Sequence, residues 1–399
     1  MNSVPTQVGW SGRGHTYTED DVAAVVAAMR EADPQTQGRF QAEFERRFQD
    51  YLDSGQCFAV SSATAALELA ALLCRLGPGD EVVLPAHTFA ASAIPFARTG
   101  ARLLWADIDP ATRLVTADTI GKLITPRTRV LVVVHLYGQV CDMDPILELA
   151  AHHEIKVVED AAQSLGARYR GRQSGTMADF GCFSFHSHKN MTTLGECGML
   201  AVRDPALAAL VPGLRHNGMR AFPGDRPKYW VPAMSNVDFD IDGLWPYNFC
   251  LGEVQCALGI QLLGRLDRMN ADRRARHDQF RTALSDFPEL VFQSLAEGCE
   301  SSHHLLAARY DGTPAGGTRD DLISLLFHSY GIKTVVQYCP LYRYPLFAKA
   351  GFGAADCPET DRFFDNMVSF PFHHWQSEDE MAAMIAATRD AMIHLRKGA

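Results

Sequence analysis

Lysine is scarce in this chain. Of 37 basic side chains among 399 residues only seven are lysine, so chemistry that needs a primary amine has few candidates. Basic charge is short overall. Against it stand 47 acidic side chains, and the formal net charge of -10 argues against an electrostatic grip on nucleic acid or anionic lipid. No run of ~18 apolar residues occurs, so no segment reads as membrane-spanning. The first fifteen residues lack a basic stretch followed by an apolar one, the pattern of a secretory leader, and the expected location is the cytoplasm. Ten cysteines are scattered without a CxxC or a Cys/His metal spacing. They predict buried thiols in a reducing compartment and no metal site. The ordinary charged share of 21% excludes a disordered chain, and the length suggests two to three domains.

What is present is a rhythm. Helical spacing over Asp20–Ala32, Gly38–Leu52 and Ala63–Leu76 gives way to short apolar strands at Glu81–Leu84, Arg102–Ala106, Thr128–His135 and Lys156–Glu159. Helices are predicted between them at Phe89–Thr99, Ala117–Ile124 and Asp144–His153. Strands that are continuously apolar suit a sheet covered on both faces, and the alternation predicts a mainly parallel α/β sheet. Beyond Met177 the rhythm changes. Two strands, Asp179–Phe185 and Gly198–Val202, flank a polar loop, and Arg220–Pro246 has no period. A long helix is predicted over Leu251–His277, and a mixed α+β remainder over Leu290–Arg396.

Ligands of open parallel sheets bind beyond the carboxyl ends of the strands, and three polar clusters fall there: Ser61-Ser62-Ala63-Thr64, His135-Leu136-Tyr137-Gly138-Gln139 and Glu159-Asp160-Ala161-Ala162-Gln163-Ser164. Ser61-Ser62-Ala63-Thr64 opens a helix, whose free N–H groups favour an anion such as phosphate; it also reads as a plain cap. Asp160 ends the apolar run Ile-Lys-Val-Val-Glu-Asp, where a carboxylate is costly unless something positive meets it; a structural salt bridge would serve as well. Gln163 follows one turn later. Lys189 sits in Phe183-Ser184-Phe185-His186-Ser187-His188-Lys189-Asn190. There, low dielectric would lower an amine's pKa and make it a nucleophile, unless the side chain snorkels to solvent. Taken in order, an anion cradle, a buried carboxylate and an activated amine match the needs of pyridoxal 5'-phosphate: a phosphate site, a partner for the ring nitrogen and a lysine for its aldehyde.

These clusters belong to an ordered set. Ser62-Ala63-Thr64-Ala65-Ala66-Leu67, Gly77-Pro78-Gly79-Asp80-Glu81-Val82, Thr88-Phe89, His135-Leu136-Tyr137-Gly138-Gln139, Glu159-Asp160-Ala161-Ala162-Gln163, Phe183-Ser184-Phe185-His186 with Lys189, Tyr247-Asn248 and Tyr338-Cys339-Pro340-Leu341 run almost end to end. In this set the chain resembles the DegT/DnrJ/EryC1/StrS sugar aminotransferases, of the fold type I pyridoxal-phosphate enzymes. The resemblance implies an α/β large domain with a smaller C-terminal α+β domain: an N-terminal segment 1–36, a cofactor domain 37–250, a linking helix 251–280 and a small domain 281–399. It implies that Lys189 forms the Schiff base and shuttles the proton. Asp160 would pair with the pyridinium, Gln163 touch the ring hydroxyl and Phe89 stack on the ring. Ala63, Thr64, Ser184 and a partner subunit's copy of Asn248 would hold the phosphate, which implies a homodimer with shared sites. Glutamate or glutamine would be the amino donor, and a keto-sugar or keto-cyclitol the acceptor, in amino-sugar or antibiotic biosynthesis. The irregular stretch Arg220–Pro246, with Lys228, Tyr229, Trp230 and Trp245, is expected to shape the acceptor pocket.

Four positions depart from that pattern. Ala63 and Cys197 stand where glycine is usual, Cys250 where arginine is, and Gln337 where histidine is. Two rival readings are a sugar dehydratase of the same family, which would have histidine in place of Lys189, and a non-enzymatic regulator that binds the cofactor or a sugar.

Overall fold

The computed structural model describes residues 8–219, 241–312 and 316–397. Its centre is a seven-stranded sheet. In chain order the strands are β1 (Gln56–Val60), β2 (Glu81–Pro85), β3 (Arg102–Ala106), β4 (Thr128–Val134) and β5 (Lys156–Asp160). After a small hairpin, β6 (Arg168–Tyr169) and β7 (Arg172–Gln173), come β8 (Phe180–Ser184) and β9 (Gly198–Val202). The sheet order is β1-β9-β8-β5-β4-β2-β3. Pairs β2·β3, β2·β4, β4·β5 and β5·β8 are parallel, and β9 runs against both its neighbours. Parallel crossovers therefore deliver the ends of β4, β5 and β8 to one edge, where the site forms.

Alternation along the strands sorts side chains to the two faces. Phe58, Val60, Cys182, Leu200 and Val202 pack with Ala65, Leu69 and Leu73 of α3 (Ala63–Leu73). Cys57, Ala59, Phe183, Met199 and Ala201 pack on the other side with Phe44 and Phe48. Those two aromatics come from an amphipathic helix, Arg39–Leu52, whose opposite face carries the Arg46–Glu43 and Arg46–Asp50 ion pairs. Burying each such aromatic contributes about 2–3 kcal/mol. The first helix, Glu19–Glu31, starts at Thr18, which forms a capping box with Asp21; the cap lies ahead of the predicted Asp20 start.

The long helix predicted over Leu251–His277 is two helices, Glu253–Leu263 and Leu266–Ala283. Gly264 is a poor helix former, and Arg265 leaves helical geometry so that its guanidinium donates to both carboxylate oxygens of buried Asp21 at 2.8 and 2.7 Å. A tertiary ion pair overrides the local period. Beyond it, β10 (Leu290–Phe292), β12 (Leu306–Tyr310) and β13 (Met367–Phe370) form an antiparallel sheet. Helices Arg319–Tyr330 and Glu378–Lys397 pack against it around Phe280, Leu322, Phe370 and Met384. Between them, β11 (Cys299–Glu300) pairs with β6, which stitches this part to the central sheet. Val8 bridges to Ile332, so the N-terminal segment also runs onto the C-terminal part. Of the stretch 220–246, residues 220–240, with Lys228, Tyr229 and Trp230, lie outside the described residues.

Candidate active site

At the carboxyl edge of the sheet is a cavity of ≈ 620 Å³. Ser62 begins one wall. Its hydroxyl accepts from Ala65 N (3.1 Å) and caps α3, so the N–H groups of Ala63 and Thr64 have no acceptor within the helix. Gly198 permits this approach, because a Cβ there would lie 2.4 Å from the Ser62 carbonyl. The glycine that such a close backbone contact requires is thus at 198, and the neighbouring Cys197 is a fully buried packing residue.

Asp160 enters from the end of β5. Its Oδ2 accepts from Ser92 Oγ (2.7 Å) and its Oδ1 from Ala162 N (3.1 Å). Because Ser92 donates to the carboxylate, the 2.8 Å contact between Ser92 and Thr88 makes the Thr88 hydroxyl the donor. No arginine or lysine side chain pairs with Asp160 among the described ion pairs, so the structural salt bridge is not what buries it. Gln163 is held at both ends: Oε1 accepts from Tyr137 N (2.9 Å) and Nε2 donates to the Tyr338 hydroxyl (3.2 Å). Phe89 projects into the space with Tyr338 edge-on to it. The Ser184 hydroxyl accepts from His186 N (3.3 Å) and also faces the cavity.

Lys189 lines the same cavity as Asp160, on the turn that follows β8. Part of its surface meets the cavity, but protein surrounds the amine, and burial lowers its pKa to about 8 against the pull of Asp160. A measurable share is therefore free amine near neutral pH. The backbone of Gly14 packs on this turn; a Cβ would lie 1.9 Å from the Ser187 carbonyl. The N-terminal segment thus backs the lysine.

Ala63, Thr64, Phe89 and Asp160, with Gln163, Ser184 and Lys189, line one cavity. Asn248 does not line it. The Asn248 side chain is exposed and accepts from Cys250 N (3.4 Å), although the next residue, Phe249, receives the Ser61 N–H. Three further residues of the cavity have no local signature: Ser92, Trp10 and His304. Ser92 follows Thr88-Phe89 but carries no motif of its own, and Trp10 and His304 come from segments remote from the motifs.

The sequence pattern of the DegT/DnrJ/EryC1/StrS aminotransferase family matches residues 16–389. The chain belongs to this family. A GDP-perosamine synthase of Caulobacter vibrioides is 33% identical over 364 residues, 89% of this chain and 91% of that protein. An L-glutamine:2-deoxy-scyllo-inosose aminotransferase of Streptomyces kanamyceticus is 34% identical over 308 residues, 77% of this chain and 71% of that one. Among solved structures, S. venezuelae DesV in complex with a ketimine intermediate matches with a TM-score of 0.82 at 30% identity, covering 94% of both chains. The chain is accordingly a pyridoxal-phosphate aminotransferase of fold type I.

The residues present fit that cofactor. The N-terminus of α3, with the Ala63 and Thr64 N–H groups at the cavity, suits a phosphate. A buried carboxylate with one donor on each oxygen keeps acceptor capacity for a protonated ring nitrogen. A buried amine of lowered pKa lines the same cavity. When bound, pyridoxal phosphate supplies the carbonyl that takes up the amino group and the electron sink for the carbon that loses it.

Proposed function

We propose that this aminotransferase moves an amino group from glutamate or glutamine to a keto-sugar, nucleotide-linked in the first instance, with a keto-cyclitol or keto-sugar phosphate as alternative acceptors. The observation that carries the reading is that Lys189 and Asp160 line one cavity, of ≈ 620 Å³, with room for a cofactor and a sugar. Similarity to a GDP-perosamine synthase and to a deoxy-inosose aminotransferase supports the acceptor class. With pyridoxal phosphate bound, Lys189 would hold the cofactor aldehyde and would move a proton at the substrate carbon. Asp160 keeps the ring nitrogen protonated, held in place by Ser92 and the Ala162 N–H. Gln163 orients at the ring hydroxyl, and Phe89 covers one ring face. Ala63, Thr64 and Ser184 bind the phosphate. A dehydratase would need another residue in place of Lys189.

We further propose a cytoplasmic homodimer in which Asn248 completes the phosphate site of the partner, and a division into the cofactor domain 37–250 and the small domain 281–399. The exposed Asn248 amide supports sharing, since it reaches nothing in its own cavity. No described helix is long and apolar enough to cross a membrane.

The deciding experiment supplies glutamate with a panel of keto-sugars and keto-cyclitols and follows 2-oxoglutarate release, with mass spectrometry of the aminated product. Lys189→Ala is expected to abolish turnover and the borohydride-reducible adduct; an adduct that persists removes Lys189 from its role. For the dimer, inactive Lys189→Ala and inactive Asn248→Asp proteins are mixed under conditions where subunits exchange. Each hybrid then holds one intact site, so activity returns. Hybrids that form without activity would mean that Asn248 serves its own subunit.

A further inference from the structure

Trp10 brings an indole to the cavity from the N-terminal segment, 179 positions before Lys189 (189 − 10). That segment is pinned on both sides of it. Ahead of Trp10, Val8 N donates to the Gly331 carbonyl (3.3 Å) and the Val8 carbonyl accepts from Lys333 N (2.9 Å). Directly after it, Ser11 N donates to His373 Nε2 at 3.3 Å. The His373 ring stands edge-on to the indole, with centroids 6.4 Å apart at 84°. Further on, a Cβ on Gly14 would lie 1.9 Å from the Ser187 carbonyl oxygen, so only glycine passes there, and buried His15 stacks on His374 at 4.7 Å. Contacts at positions 8, 11, 14 and 15 leave the backbone of residue 10 little room to move.

The indole is half-buried, and its Nε1 is one of the buried atoms, so what the ring offers the cavity is carbon and not an N–H. Leu305, Val335 and Val336 add apolar side chains to the same cavity, and Val335 is fixed by hydrogen bonds with Ser369 in both directions at 3.0 and 2.9 Å. None of these four residues has a part in holding the cofactor. An apolar aromatic wall treats the two substrates of a transamination differently. The amino donor is a short chain ending in carboxylates, which lose hydration against an indole and gain nothing from it. A saturated ring bearing hydroxyls has C–H faces that bury apolar area when they lie on an aromatic side chain.

We infer that Trp10 is a specificity-determining residue for the ring-shaped acceptor: its indole is the apolar wall against which a C–H face of the keto-sugar or keto-cyclitol packs, and it takes no part in binding the amino donor. The inference rests on the acceptor class proposed above. Because the segment is pinned at both ends, the wall stands in place before the acceptor arrives, and binding orders no loop and freezes no side chain there.

The two half-reactions can be read separately, and that separation is the test. The full-length holoenzyme is assayed with glutamate and with the ring ketone that the wild type aminates fastest. Trp10→Ala is expected to raise KM for that ketone at least about tenfold with kcat within about twofold, the pattern of a lost binding contact. The donor half-reaction, followed by cofactor absorbance with glutamate alone, should keep its kcat/KM within about twofold. Calorimetric binding of the ketone to the pyridoxal form, which has no amino group to transfer, should weaken by the same factor as KM rises. Trp10→Phe, with a smaller apolar face, is expected to raise the ketone KM about threefold. An unchanged ketone KM in Trp10→Ala overturns the proposal. So do equal losses for ketone and glutamate, which would assign the effect to a disturbed site. If Trp10→Ala does not fold, Trp10→Phe decides alone: a rise confined to the ketone supports the proposal, and no rise or equal losses overturn it. A wild type that releases 2-oxoglutarate from glutamate but aminates no ring ketone refutes the acceptor class itself. A wild type that aminates the ketone, with Trp10 variants that match it, refutes the role of Trp10 alone.

Discussion

At the carboxyl end of β5 two consecutive carboxylates turn to opposite faces of the sheet. Glu159 is fully buried and surrounded by donors: His135 Nε2 at 2.8 Å and the N–H groups of Gly175, Met177 and Ala178 at 2.8, 2.6 and 2.7 Å. His135 Nδ1 accepts from Cys141 N at 3.2 Å, so its Nε2 carries the proton that goes to Glu159. Asp160, one residue on, has a single donor on each oxygen and faces the cavity. Chemically the two side chains differ by one methylene. The donor count separates them. A carboxylate with its lone pairs taken up holds the 175–178 loop in place, whereas one with acceptor capacity left can meet a ligand's proton.

Removing charge from each should split activity from stability. Asp160→Asn is expected to retain cofactor, with little change in denaturation midpoint, and to lose several orders of magnitude in turnover, because a neutral ring nitrogen drains electrons poorly from the reacting carbon. Near-wild-type turnover would place the function of this strand end elsewhere. Glu159→Gln should do the reverse. Its amide replaces an acceptor by a donor against buried N–H groups, and the expected loss is about 3 kcal/mol in urea denaturation with modest change in kcat. A stable but inactive Glu159→Gln protein would erase the distinction. The smallest effect is expected from Ser92→Ala, which leaves Asp160 with the Ala162 N–H alone. A fall in kcat of about tenfold, or ~1.4 kcal/mol, with unchanged KM would show that Ser92 acts through the carboxylate. A shift in KM alone would make it a substrate contact.

The sheet and the cofactor end of the cavity were legible because both are written in short, contiguous signals. Continuous apolar strands located β2 to β5, polar clusters at the ends of β1 and β5 located Thr64 and Asp160, and the scarcity of lysine with an apolar setting singled out Lys189. The helix over Leu251–His277 is broken at Gly264, a local signal too weak alone to end it, and at Arg265, whose partner Asp21 lies more than 240 positions earlier. Ser92, Trp10 and His304 were missed for a related reason. Their environment is made by segments that meet only in the fold, so a serine among alanines or a histidine after a histidine carries no local pattern.

The sequence by itself determined which groups are available and how they are ordered: a lysine among few, a carboxylate at an apolar strand's end, a serine-threonine helix start. Period and propensity act over a few residues, and those features need nothing more. Tertiary structure alone decided what each group can do. It brought Gly14 against the lysine turn, set Gly198 under the α3 cap, and surrounded Glu159 with four donors while leaving Asp160 one donor on each oxygen. Hydrogen-bond capacity and local dielectric are properties of the assembled surroundings, so residues alike in sequence acquire different chemistry only when the chain is folded.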